Sequence, residues 1–195
     1  MDPSCLRCGK CCTSFGVCIT PFDVARIKRV TGKEPQEFVD LVPEPPERER
    51  KEPAILIDGE RSLLVLKRDA FNVCYFYSGE GCIAYGSRPM LCRSYPFRSR
   101  PASCALKEMK SRACDIGWQP DGKEKTAYEK DCEQYGKEVR QYAKIADEWN
   151  SLGGGDFGSF LDSIKAPGAL VHCGQKAAIV AIARASELKK FHSSD

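Results

Sequence analysis

Twelve of the 195 residues are cysteine, and their spacing is the strongest chemical signal in the chain. Cys5, Cys8 and Cys11 follow one another at two-residue gaps, and Cys12 comes directly after. Such gaps let successive thiolates turn toward a common point, and the same rhythm opens the cysteine run of bacterial ferredoxins. Zinc knuckles also use cysteines two residues apart, so this spacing alone leaves iron–sulfur and zinc both open. Cys12 adds a constraint. Neighbouring residues rarely point at one tetrahedral ion, so either Cys11 and Cys12 face two sites or only one of them is a ligand. The radical S-adenosylmethionine triplet, with its wider first gap, is absent.

A second set follows at Cys74, Cys82 and Cys92, with Cys114 further along. Cys74 lies in a strand-like aromatic run and Cys82 just past a glycine turn. Cys92 sits in Arg88-Pro89-Met90-Leu91-Cys92-Arg93-Ser94-Tyr95-Pro96-Phe97. Arg88 and Arg93 can offset thiolate charge or hydrogen-bond cluster sulfides, which would raise a reduction potential. Arginines on a solvated turn explain the same spacing equally well.

Taken together, these residues resemble a known family. The Cys5–Cys12 run, then Gly81-Cys82-Ile83-Ala84-Tyr85 and Arg88-Pro89-x-x-Cys92-Arg93-x-Tyr95-Pro96-Phe97, are similar to the YkgJ-type cysteine-cluster (CxxCxxCC) family. The match extends from residue 5 to about residue 120 and includes Cys114-Asp115-Ile116-Gly117, where Asp115 replaces the family's proline. The resemblance implies metal binding at Cys5, Cys8, Cys11, Cys12, Cys74, Cys82, Cys92 and Cys114, enough thiolates for two four-cysteine sites. A bacterial flagellin lysine-N-methylase shares the motif and carries an iron–sulfur cluster, so the resemblance points to iron, as a 4Fe–4S cluster, with Zn2+ as the alternative.

The other cysteines read differently. Cys18 stands one turn before the first expected helix, as a possible substitute ligand. Cys132 falls on an apolar stripe and reads as core packing. Cys104 reads as a spare thiol on an exposed loop, and His172-Cys173 lacks a second pair of ligands nearby. There is no Walker A sequence, no dinucleotide fingerprint and no nucleophile elbow. With only His172 and His192, no histidine acid–base machinery is available in the body of the chain.

Composition narrows the class of protein. Charged residues make up 29% and hydrophobic ones 42%, as in ordinary globular proteins. A net charge of +3 is too small an excess to argue for nucleic acid or an anionic membrane. The longest apolar run, Ala177 to Ala183, falls far short of the roughly 20 residues a membrane span requires. No apolar leader is visible, and clustered cysteines in a reducing compartment are metal ligands more often than disulfides. These features predict a cytoplasmic protein, and the family resemblance implies a protein partner or protein substrate. Three functions fit: an iron–sulfur protein in a redox or accessory role, a protein-modifying enzyme such as a lysine methylase, and a zinc-stabilised interaction module.

The elements that must position the cysteines are partly legible. Thr20-Pro21-Phe22-Asp23 predicts a capped helix start, with Val24, Ile27 and Val30 as its apolar face up to Gly32. A second short helix is expected over Pro35–Leu41, then a solvated loop through the proline- and charge-rich residues 43–53. Ala54–Ile57 and Ser62–Lys67, joined around Asp58-Gly59, predict a β-hairpin, with Val73–Tyr77 as a third strand. Tyr128, Cys132, Tyr135, Val139, Tyr142, Ala146 and Trp149 alternate four and three apart, which is one stripe of a long helix from Lys123. It should stop at the flexible Gly153-Gly154-Gly155, before a short helix over Phe157–Ile164 and a last one from Gln175 to about Phe191. The expected fold is α+β: a small antiparallel sheet with cysteine-rich loops packed against helices. Residues 1–120 would form the metal-binding domain and 121–195 a helical region packed on it.

Overall fold

The computed structural model describes residues 9–46, 52–95, 97–100, 103–108 and 121–165, with the side chains of the 97–100 and 103–108 segments left aside. The expected last helix, Cys5, Cys8, Cys114, His172, Cys173 and His192 lie outside these residues. The architecture is α+β. A three-stranded antiparallel sheet has the order β1 (Val39–Pro43), β3 (Glu60–Leu66), β2 (Ile55–Ile57). Between β2 and β3, Asp58 and Gly59 form a two-residue turn with φ of 50° and 84°. Both residues left-handed is the geometry that matches strand twist, which is why Asp-Gly works there.

The outer edge of β3 beyond β2 is paired by residues 17–19: Ile19 N–H donates to the Leu64 carbonyl at 3.0 Å and Leu66 N–H to the Val17 carbonyl at 2.9 Å. This pairing anchors the N-terminal cysteine run to the sheet. The run itself ends in a five-residue helix, α1 (Lys10–Ser14). Helix α2 (Pro21–Thr31) then starts as the sequence predicts, with a Thr20–Asp23 capping box, and stops at left-handed Gly32. Its Val24 and Ile27 are buried, but Val30 is 59% exposed, so the apolar face ends one turn early.

Three other expectations change. Helix α3 covers only Pro35–Phe38, because Val39 to Pro43 pair with β3 instead. β-branched Val39 and Val42 fit a pleated surface better than a helix. The third strand of the sheet is therefore β1. The segment over Val73–Tyr77 makes only isolated bridges, Arg68 to Cys74 and Tyr77 to Cys82. The proline-rich loop also ends differently from a solvated connector, since Glu52 is buried and accepts the Tyr135 hydroxyl proton.

After a 3₁₀ turn at Tyr85–Ser87, helix α4 (Met90–Ser94) carries Cys92. A hairpin of β4 (Phe97–Arg100) and β5 (Ser103–Glu108) follows, which the sequence reading did not anticipate. Cys104 thus belongs to a strand and not to a loop. The long helix α5 runs Gly122–Ser151, capped by Asp121, and every member of the predicted stripe except half-buried Tyr135 is buried. Helix α6 (Phe157–Lys165) completes the described chain.

One core unites these elements. Ile19, Ile27, Phe38, Ile55, Leu64 and Phe76 pack with Tyr142, Ala146 and Trp149 of α5 and with Phe160 and Leu161 of α6. The glycine stop between α5 and α6 is a packed turn and not a flexible one. Gly154 has φ of 70°, and a Cβ there would run into the Leu56 carbonyl. Asn150 finishes the sheet edge, accepting from Leu56 N–H at 2.7 Å and donating to the Ala54 carbonyl at 3.0 Å. No helix among the described residues is long and apolar enough to cross a membrane.

Candidate metal centre

Three separate stretches of chain bring cysteines to one place. Helix α1 carries Cys11 and Cys12, the turn after β3 carries Cys74 and Cys82, and α4 carries Cys92. Cys12, Cys82 and Cys92 all pack against the core cluster that contains Cys74. The tie is made by backbone: Cys74 N–H donates to the Cys12 carbonyl at 2.9 Å. Aromatic contact adds to it, with the Phe15 and Tyr95 rings 5.4 Å apart where α1 meets the end of α4.

Two residues shape the entry to α1. Gly9 has φ of 73°, a conformation other residues adopt only with strain, and a Cβ there would fall within the Tyr77 ring. Tyr77 is fixed in turn by its hydroxyl, which donates to the Gly79 carbonyl at 2.9 Å. The glycine between Cys8 and Lys10 therefore lets an aromatic ring from the second cysteine segment lie directly on the first.

The electrostatics show how closely the thiols are gathered. Cys11 and Cys12 Sγ stand 4.0 Å apart, within reach of a hydrogen bond that either thiol can donate. That hydrogen bond outweighs burial and holds the Cys11 thiol down to about 7, with help from Arg88, while Cys12 is pushed up as the partner that keeps the proton. Burial raises the Cys74 and Cys82 thiols, and their neighbouring cysteines raise them further. Cys92 lies well above its ordinary value, through burial first and then Cys74, Cys11 and Cys82. Each thiolate resists the next. A site of this kind is one that a cation relieves, because metal ligation requires the thiols to lose their protons together.

Of the two arginines singled out in the sequence, one faces the thiols. Arg88 is 8% exposed, lies 3.8 Å over the Tyr85 ring, and its charge lowers both Cys11 and Cys82. Arg93 turns away to pair with Asp131 of α5 at 3.0 Å. Cys18 is buried in a separate small cluster with Ala54, Leu63 and Val65, and Cys132 is buried on α5. Among the described residues, no three cysteine, histidine, aspartate or glutamate side chains are spaced to hold an ion as they stand. The side-chain chemistry is that of a soft-metal site. Soft thiolates with a nearby arginine suit zinc or an iron–sulfur cluster and suit calcium or magnesium poorly.

Two groups outside the cysteine motif were not visible in the spacing. Asp23 is fully buried and does more than cap its own helix. Its Oδ1 accepts the Met90 N–H at 2.9 Å, capping α4 from across the fold where Pro89 offers no side-chain cap. Arg26 links Asp23 to Glu138 of α5, donating to both Glu138 oxygens at 3.1 Å, and Thr20 donates to Glu138 at 3.3 Å. Burial holds the Asp23 carboxyl above its usual range against the pull of Arg26. The second group is Arg68, whose hydrogen bonds reach back to α1.

The family described as "CxxCxxCC: Putative zinc- or iron-chelating domain" matches residues 4–133, and the chain belongs to it. It is thus a metal-binding cysteine-cluster protein, and the family description names both metals that the spacing left open. No curated protein and no solved structure matches the chain.

Proposed function

We propose that this protein holds an iron–sulfur cluster, of the 4Fe–4S type, on thiolates contributed jointly by the N-terminal run and the second cysteine set. Its role is redox or accessory to a redox enzyme, in the cytoplasm and toward a protein partner. The observation that carries this reading is that Cys12, Cys82 and Cys92 pack on the core cluster that contains Cys74, with the Cys12 carbonyl accepting the Cys74 N–H. Neither set need supply a complete shell alone, and the adjacent pair need not share one tetrahedron. Cys5, Cys8 and Cys114 join the ligand set by family resemblance.

When bound, the cluster supplies one-electron transfer. The chain's own residues do the rest. The thiolates would hold the metal, Arg88 would offset their charge, and the buried apolar core that includes Cys74 would exclude water on that side. Excluding water and placing a cation nearby are the two means by which a protein tunes such a site.

Metal and acid-labile sulfide content after anaerobic purification tests the reading. Iron and sulfide in matching amounts are expected. Stoichiometric zinc without sulfide would overturn the iron assignment. Cys12→Ser and Cys82→Ser should each lower the metal content. Full metal retained in Cys82→Ser would mean that the two sets do not share a centre.

A further inference from the structure

Arg68 lies two residues beyond β3, across an isolated antiparallel bridge from Cys74. Its guanidinium meets acceptors on two different segments. Toward α1, Nη2 donates to the Cys12 carbonyl at 2.9 Å and Nη1 to the Phe15 carbonyl. Toward the turn before Cys74, Nε donates to Asn72 Oδ1 at 2.7 Å and Nη2 to the Asn72 carbonyl. The last carbonyls of a helix have no intrahelical partners and carry partial negative charge, so a cation is well placed there. Asn72 itself is left-handed at φ of 62°, in a turn that Asp69 Oδ1 holds by accepting from the Phe71 and Val73 N–H groups at 2.9 Å.

The Cys12 carbonyl is the meeting point, since it accepts both Arg68 Nη2 and Cys74 N–H, each at 2.9 Å. A planar fork that engages two segments at once fixes their relative register in a way a single point charge cannot. We propose that Arg68 is the positioning residue that sets the Cys11–Cys12 helix in register with Cys74, and so assembles the shared site. This rests on the shared metal centre proposed above. Arg68 acts through the backbone carbonyls of Cys12, Phe15 and Asn72.

Arg68→Gln and Arg68→Lys in the full chain test it, first without metal. Losing charge-assisted hydrogen bonds should speed exchange of the Cys74 amide by about tenfold or more in Arg68→Gln, while the Tyr142 amide in α5 stays unchanged. Lysine keeps the charge and lacks the fork, so Arg68→Lys should remain fast at Cys74. In the loaded protein, both variants should lose metal to a chelator faster than wild type. Unchanged exchange at Cys74 would overturn the proposal. So would equal acceleration at Cys74 and Tyr142, which marks a general loss of stability, or wild-type exchange in Arg68→Lys, which shows charge alone suffices. Wild-type protein that binds no metal would instead sink the shared-centre reading, and the exchange data would still decide the role of Arg68.

Discussion

Gly9 and Tyr77 make the cysteine run sensitive to a single methyl group. Gly9→Ala must carry a left-handed backbone, at about 1–2 kcal/mol, and must also displace the Tyr77 ring. Thermal denaturation should show that loss, and metal content should fall with it. A variant that keeps full metal would show that the ring moves aside freely. Cys18 gives the opposite expectation. It is fully buried beside Ala54, Leu63 and Val65, apart from the gathered thiols, so Cys18→Ala should cost about 1–2 kcal/mol of stability and leave metal content unchanged. A drop in bound metal would place Cys18 among the ligands. At this scale the sequence displayed the thiols themselves, because ligand spacing is a local property. It did not display Arg68 or the second duty of Asp23, because their partners lie far along the chain: 53 and 56 residues from Arg68, and 67 from Asp23.

At the scale of elements, α4 is too short to hold itself in place. Five residues without a side-chain cap make a marginal helix, and Asp23 of α2 supplies the missing acceptor. Asp23→Ala removes that cap and leaves Arg26 beside Glu138 alone. A loss of about 3 kcal/mol is expected in chemical denaturation, the low end for a broken buried pair because Arg26 is 20% exposed. Metal retention should fall too, since Cys92 rides on α4. Unchanged retention would show that α4 stays ordered without the cap. The long helix was legible because its stripe repeats over 30 residues. Val39–Pro43 was not, since five residues carry too little periodicity to tell a strand from the tail of a helix, and only pairing with β3 decides it.

For the molecule as a whole, the family segment and the folding unit have different limits. The family match ends at residue 133, in the middle of α5. Yet Tyr142, Ala146, Trp149, Phe160 and Leu161, all beyond that point, are buried in the same core as Phe38, Ile55 and Phe76. A chain cut after residue 133 would leave the apolar faces of those strands and helices without that cover. Such a fragment should show no cooperative unfolding transition, whereas the full chain should unfold in one. A cooperative transition in the fragment, seen by circular dichroism on heating, would mean that the sheet and α2 suffice as a core. The α+β class and the principal hairpin were legible from pattern, but the dependence of the cysteine region on the far half of α5 was not. It resides in contacts such as Trp149 Nε1 to the Leu56 carbonyl at 2.8 Å, which join residues 93 apart.

The Arg26–Glu138 link spans 112 residues, and that distance has a meaning in time. At about 5–20 residues per second, the ribosome needs roughly 6–20 s to make the stretch between those two partners. Throughout that interval the first cysteines have already been made, while the helix that closes the fold does not yet exist. Whatever delivers the metal therefore meets an open chain early or a finished one late, and the nascent thiols must stay reduced in between. The order of synthesis makes the earlier cysteines wait for the later α5 before the fold around them can close.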